Sequence, residues 1–358
     1  MIKRMAAIDK ERIEYGLLRQ MDIQNAMYPS RVPVLIDPPT DLEFSRLVHD
    51  NFPALFKQAG STGFAALSKW TTDYLKEKLR DCPVKVAETP FGNADSPLHD
   101  ILFVKPHVRT VSGDQMIDLL MDDSKKNEGI VRYMQSQDNN FESEFAPLVE
   151  DALLTIPWAE SVLQSSPEAV NLWIGKGDTT SRLHNDNYEN IFVQLQGRKK
   201  IYLIPPGDAY ALDEKFLIDA TYVYDPKDPL KFHIQIDDEH EPIKVPGSAT
   251  KDMLEQISQQ YKRSRIMFPT VNPADSATFN PIFKGHCKVY KVVLEPGDML
   301  YIPSLWYHQV EIEESSGLCI SLNYWYPVSP LAPLWAKWDY IRVTSALLRG
   351  YHDNQYFD

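Results

Sequence analysis

From about residue 130 the chain breaks into short runs rich in β-branched and aromatic residues, with Gly or Pro turns between most of them. They are VRYMQSQ, AVNLWIG, NIFVQLQ, KKIYLIPP, YKVVLEP, DMLYIPS and CISLNYWY. Many short strands without intervening long helices predict an antiparallel barrel or sandwich. At 358 residues the chain exceeds one small domain, and a single large barrel with appended helices accommodates that length. The expected fold class is mainly β with helical additions.

Outside this core the pattern changes. Residues 5–28 carry Ile8, Ile13, Leu17, Leu18 and Met21 at helical spacing, before Pro29, Pro33, Pro38 and Pro39. TTDYLKEKLRD (71–81) predicts a second helix with Thr71 or Thr72 as N-cap, and CPVKVAE (82–88) alternates like a strand. MDDSKKNEG (121–129) reads as a helix end and loop. The stretch 207–288 is long and Pro-rich, with one helical patch at KDMLEQISQQYKR (251–263). Loops of such length are usually functional or disordered. Within 207–245, ten Asp and Glu stand against four Lys. LAPLWAKWDYIRVTSALLRGY (331–351) predicts a C-terminal helix with little polar surface. These breaks suggest an N-terminal helical and mixed region packing on the core (1–129), a core with a long insert (130–328, insert 207–288) and a C-terminal helix (329–358).

Composition narrows the function classes. With 43% apolar and 24% charged residues the chain is an ordinary globular one, which excludes extensive disorder. Cys82, Cys287 and Cys319 are scattered, with no CxxC pair, against a disulfide framework or zinc ribbon. No apolar h-region opens the sequence and no apolar run reaches the roughly 18 residues of a membrane span, so cytosol or nucleus is expected. A formal net charge of −13 is a poor match to DNA or RNA and a better one to a basic partner; acidity that serves only solubility explains it equally well. Neither a GxGxxG fingerprint nor a GxSxG elbow is present.

The pattern that carries chemistry is sparse. His184 and Asp186 stand two apart in a β-like context, where residues i and i+2 share a face about 7 Å apart. His308 lies in another strand-like run, YIPSLWYHQV. Two histidines and a carboxylate form the facial triad of non-haem Fe(II), which leaves coordination positions open. The pair alone is weak evidence, because a partly exposed His beside a carboxylate is common. His49, His99, His107, His233, His240, His286 and His352 lack metal-ligand spacing. Trp70, Trp158, Trp173 and Trp306 are expected to pack rather than stack on a ligand.

Taken as an ordered set, the motifs resemble the jumonji-C (JmjC) oxygenases of the small hydroxylase branch. The matching pieces are His184-x-Asp186, the later His308, the strand–turn–strand around Gly197, and Pro205-Pro206. The run Pro296-Gly297-Asp298-Met299-Leu300-Tyr301-Ile302-Pro303 and Asn323 in SLNYWY also match. Tyr133-Met134-Gln135-x-Gln137, Asn171-Leu172-Trp173-Ile174-Gly175 and His184-x-Asp186-x-Tyr188-Glu189-Asn190 resemble, within that branch, the lysyl hydroxylases of developmentally regulated GTPases. The resemblance runs from about residue 30 to the C-terminus and is weakest over 207–288. It implies a double-stranded β-helix of the cupin, jelly-roll-like type. It also implies Fe(II) on His184, Asp186 and His308, and 2-oxoglutarate as co-substrate. The distal carboxylate of 2-oxoglutarate falls to the cation two residues after the turn glycine, Lys199, with Lys200 on the opposite strand face. Tyr133 and Ser181 match the hydroxyl partners, although the family more often has Thr at the latter position. Asn190 and Asn323 match amides lining the iron pocket.

The function so implied is protein hydroxylation, with a lysine of a GTPase-type protein as target and succinate and carbon dioxide released. A basic, lysine-containing segment would suit the acidic 207–245 stretch, and Glu189 with those acids is expected to secure the substrate ammonium. N-methyl-lysine demethylation on the same iron is the alternative. A protease-like activity finds no nucleophile or hydrolytic zinc set. A non-catalytic cupin-like binding protein would have lost residues that are all present here. Three cysteines leave no room for a zinc-finger histone reader. Leu331, Leu334, Trp335, Trp338, Tyr340, Ile341, Leu347 and Leu348 give the C-terminal helix too many apolar groups for a solvated face. A homodimer through that helix is expected, with packing on its own barrel as the competing explanation.

Overall fold

The β runs pair antiparallel and line up as two sheets that face each other across a cavity. The computed structural model describes residues 2–122, 129–177, 179–224, 227, 232–236, 243–247, 249–258, 265–313, 317–328 and 333–351, with the backbone alone for 2–8 and 265. A four-stranded sheet takes, in spatial order, Tyr290–Leu294, Lys199–Ile204, Tyr307–Ile312 and Thr180–His184. Opposite it, a larger sheet is centred on Met299–Ile302, Tyr188–Gln196, Cys319–Pro327 and Ala169–Gly175. Apart from the step across the insert, consecutive strands alternate between the two sheets, which is the winding of a double-stranded β-helix.

Strand alternation decides what each sheet presents inward. In Tyr188–Gln196, Ile191, Val193 and Leu195 bury in the outer core, while Asn190 and Phe192 point to the cavity. The turn to Lys199–Ile204 needs Gly197, whose φ is +66° and where a Cβ would lie 3.1 Å from Cys319 Cα.

The N-terminal region does more than pack on this core. Val34–Leu35 and Ala54–Phe56 extend one edge of the larger sheet; Val131–Met134, Pro83–Thr89 and His107–Ser112 extend the other. The helix Asp41–Asp50 starts with a capping box between Thr40 and Glu43, and Thr72–Lys78 starts with Thr71 accepting from Tyr74 N–H at 3.2 Å. Trp70, Trp158 and Trp306 pack in apolar clusters, as expected.

The insert is not a loop. Its strands Lys215–Tyr224, Phe232–Ile236, Ile243–Pro246 and Arg265–Phe268 join Ser96–Leu98 and Leu102–Lys105 in a six-stranded sheet. That sheet buries a core of its own, with Val104, Tyr222, Ile234 and Leu254 in it. The described part of the 251–263 helix is Lys251–Ser258, and residues 123–128 of the expected 121–129 loop lie outside the described residues. Among the described residues the first element is the helix Ile2–Met27 and the last is Pro333–Leu348; Leu331 is outside the described residues. Both helices bury apolar side chains on the Pro206–Leu212 turn. Among the described residues no helix is long and apolar enough to cross a membrane.

Candidate metal centre and co-substrate cavity

His184 closes the strand Thr180–His184 and stands directly across from His308 in the neighbouring strand, with ring centroids 4.3 Å apart. Asp186 is not in the strand, as its spacing suggested, but in the turn after it. Its position is set by a backbone bond, Leu305 N–H to the Asp186 carbonyl at 2.9 Å, which ties the turn after one histidine to the turn before the other. One ligand atom from each of His184, Asp186 and His308 then lies within 4.8 Å of the other two.

The tautomers follow from the backbone. Nδ1 of His184 meets the Arg182 carbonyl at 2.7 Å, and Nδ1 of His308 meets the Trp306 carbonyl at 3.1 Å. A carbonyl only accepts, so each Nδ1 carries the hydrogen and each Nε2 presents a lone pair, the arrangement that orients metal-ligating histidines. Burial, reinforced by the neighbouring His184, lowers the His308 imidazole from 6.5 to about 4 and keeps it neutral. His308 Nε2 and Asp186 Oδ2 are 3.6 Å apart, too far for a good hydrogen bond and suited to sharing a cation. The donor set fits a facial-triad metal.

The triad opens into a cavity of about 170 Å³ that Tyr133, Ser181, Asn190, Lys199 and Asn323 also line. The expected metal ligands and the expected co-substrate contacts therefore share one space. Lys199 is 1% exposed, with Nζ donating to Tyr133 Oη at 3.2 Å and lying 5.0 Å from the Phe192 ring. Desolvation lowers its ammonium from 10.5 to about 8, and among the described residues it has no carboxylate partner. A buried cation of this kind fits the carboxylate of a bound co-substrate. Lys200, on the other face, pairs with Glu311 at 2.7 Å. Asn323 accepts from Trp173 Nε1 at 2.8 Å and donates to Asn190 at 3.4 Å, so the two amides form one polar wall.

The expectation for Glu189 fails, and the four described acids of 207–245 do not serve the cavity. Glu189 faces away from the cavity because its neighbour Asn190 faces in; it is buried, accepting from the Tyr301 hydroxyl at 2.6 Å and Ser304 N–H at 3.3 Å. The described acids of 207–245 are committed elsewhere: Asp208 to Asn25, Asp213 to Lys215, Glu214 to Arg342 and Asp219 to Lys105. Asp225, Asp228, Asp237, Asp238, Glu239 and Glu241 lie outside the described residues. Trp173 packs against Tyr133, as expected, and also lines the cavity. The signal was available: Val170, Leu172 and Ile174 face the core, so Trp173 must face away from it. Asp95, Arg182, Phe268 and Trp325 also line the cavity, and no motif in the sequence points to them.

A double-stranded β-helix with a His–Asp–His cluster inside it and a buried lysine beyond defines a class. The cupin-like domain family matches residues 39–331, and the chain belongs to this family, in its JmjC branch of 2-oxoglutarate-dependent oxygenases. It is 30% identical over 299 residues to the human bifunctional peptidase and (3S)-lysyl hydroxylase JMJD7, across 83% of this chain and 84% of that protein. It is also 30% identical over 294 residues to the lysine-specific demethylase JMJ32 of Arabidopsis thaliana, across 80% of this chain and 79% of that one. JmjC domain-containing protein E of Dictyostelium discoideum is 28% identical over 310 residues.

Proposed function

We propose that the protein is an Fe(II)- and 2-oxoglutarate-dependent protein hydroxylase that acts on a lysine side chain, with a GTPase-type protein as its substrate. The observation that carries the chemistry is the buried, carboxylate-free Lys199 in the cavity that also holds the triad. His184, Asp186 and His308 would hold the iron, and Lys199 with Tyr133 the distal carboxylate of 2-oxoglutarate, flanked by Ser181. Once bound, iron and 2-oxoglutarate supply the oxidation of a substrate C–H bond, with succinate and carbon dioxide released. The chain's own work is to position and to exclude water. Nδ1 hydrogen bonds to backbone fix both imidazoles, Asn190 and Asn323 line the space beside the triad, and Phe192 with Trp173 keeps it partly apolar. The lysyl target and the GTPase rest on likeness to the hydroxylase branch.

Demethylation of a methyl-lysine is the second reading, favoured by the likeness to JMJ32. One experiment separates them. The protein is incubated with iron, 2-oxoglutarate and cell extract, and substrate masses are mapped. Lysines gaining one oxygen atom support hydroxylation; formaldehyde released from methyl-lysine peptides in step with succinate would replace it. The proposal includes a homodimer formed through the C-terminal helix.

A further inference from the structure

The cavity carries one more carboxylate than the triad uses. Asp95 lines it but stands outside the metal cluster. It sits just before the strand Ser96–Leu98 with φ +50°, a left-handed conformation that Asp and Asn tolerate better than most residues. The loop is fastened on both sides. Thr180 N–H donates to the Gly92 carbonyl at 3.0 Å, at the start of the strand that carries His184, and the Ser96 hydroxyl donates to the Asn93 carbonyl at 2.5 Å. Gln135, another cavity residue, donates from Nε2 to Asp95 Oδ2 at 2.7 Å and fixes the carboxylate's direction.

Among the described residues no lysine or arginine forms an ion pair with Asp95; Lys105, whose charge it feels, pairs with Asp219 at 3.0 Å. Burial raises the Asp95 carboxyl above its ordinary range, against the opposing Gln135 bond. A half-buried carboxylate with one neutral donor is unfavourable unless a cation reaches it. The walls of the cavity that Asp95 lines include Phe103, Trp173, Phe268 and Trp325. Such walls suit the apolar stem of a lysine, whose charge lies only at its tip. Aromatic walls would also suit a methylated ammonium. The carboxylate decides between them, because an unmethylated ammonium has three N–H donors to give and a trimethylated one has none.

We propose that Asp95 is the specificity-determining acid of the site, receiving the unmethylated ammonium of the substrate lysine while its methylenes lie along the aromatic walls. This rests on the lysyl reading above, and its test does not require turnover. n-Butylammonium, n-butyltrimethylammonium and the neutral 1-pentanol are titrated against the full chain, following the fluorescence of Trp173 and Trp325. The wild-type protein should prefer n-butylammonium over both other probes. Asp95→Asn keeps the shape, the left-handed backbone and the Gln135 bond, and removes only the charge. It should weaken n-butylammonium roughly ten- to hundred-fold and leave 1-pentanol unchanged, as loss of one charge-assisted bond requires. Asp95→Ser should do the same and guards against misfolding of either variant. A merely structural role would move both probes together and overturn the proposal. So would a wild-type protein that does not prefer the ammonium over the alcohol, or one that binds the trimethylated probe as tightly. If the ammonium preference holds and no lysine in extract is hydroxylated, the alkylammonium site stands and the hydroxylase reading falls.

Discussion

Lys199 carries a charge that no carboxylate among the described residues neutralises, so its proposed role in holding 2-oxoglutarate opposes stability at one residue. Burial lowers its ammonium from 10.5 to about 8. With the folded value below the unfolded one, the cost of burying the charge is fully present below about pH 8 and fades as pH rises toward 10.5. Lys199→Met keeps the length and removes the charge. Without 2-oxoglutarate it should therefore raise the thermal midpoint near neutral pH, by a stabilisation on the order of 3 kcal/mol that shrinks in alkali. Calorimetric titration should show the same variant binding 2-oxoglutarate roughly ten- to hundred-fold more weakly. Lys200→Met, on the solvent side with Glu311, should change neither quantity much. The reverse ranking would mean that the other face of the strand serves the co-substrate. His184→Ala should abolish 2-oxoglutarate turnover with the thermal midpoint little changed, because among the described residues the half-buried ring hydrogen-bonds only to the Arg182 carbonyl.

The C-terminal helix Pro333–Leu348 reaches the His–Asp–His cluster through the residue before His308. Trp338 Nε1 donates to Tyr307 Oη at 3.1 Å, the Tyr307 hydroxyl donates to Glu214 at 2.9 Å, and Arg342 Nε donates to Glu214 at 2.8 Å. This network fixes the strand that carries the second histidine. Glu214→Ala leaves the hydroxyl and the guanidinium without their acceptor, at a cost of roughly 2–4 kcal/mol. The urea midpoint should fall with its slope unchanged, and Glu214→Gln, which keeps an acceptor, should fall less. An unmoved midpoint in Glu214→Ala would show that the network contributes nothing. None of this was legible in the sequence, where Glu214 is one acid among ten in an acidic stretch. What was legible follows a simple periodicity. Each of the seven β runs contains a strand, because alternation and turn residues are local signals. Lys215–Tyr224 carries no such local signal, because it lies inside a Pro-rich, acidic stretch and its partner Leu102–Lys105 lies more than a hundred residues away. The triad and Lys199 could be read from motif order. Asp95 could not, since a turn residue with positive φ belongs to no period.

The two terminal helices share one underlying surface, and what they leave uncovered bears on assembly. Leu17 and Met21 from the first, and Trp338, Ile341 and Leu348 from the last, bury in the same apolar cluster. Packing on the chain's own barrel therefore accounts for part of the apolar excess in the C-terminal helix. It does not account for Tyr340, 66% exposed, or Leu347, 44% exposed. These two are seven residues apart, about two turns, and so share one face, which lies nearly opposite Trp338. Ile13, Tyr15 and Ile23 are exposed on the N-terminal helix. An interface of standard size needs about 800 Å² from each partner, an area that two helices of this length can supply. The net charge of −13 per chain opposes association, but such repulsion is screened beyond about 8–10 Å at physiological ionic strength. An apolar dimer should therefore persist or tighten as salt is added. Light scattering at micromolar concentration should give twice the chain mass of 41.1 kDa. Tyr340→Glu with Leu347→Glu should return it to one chain mass without lowering the thermal midpoint of the barrel, because neither side chain is part of the buried cluster. A wild-type monomer at both low and physiological salt would remove the dimer and leave those aromatic and aliphatic groups as ordinary exposed surface.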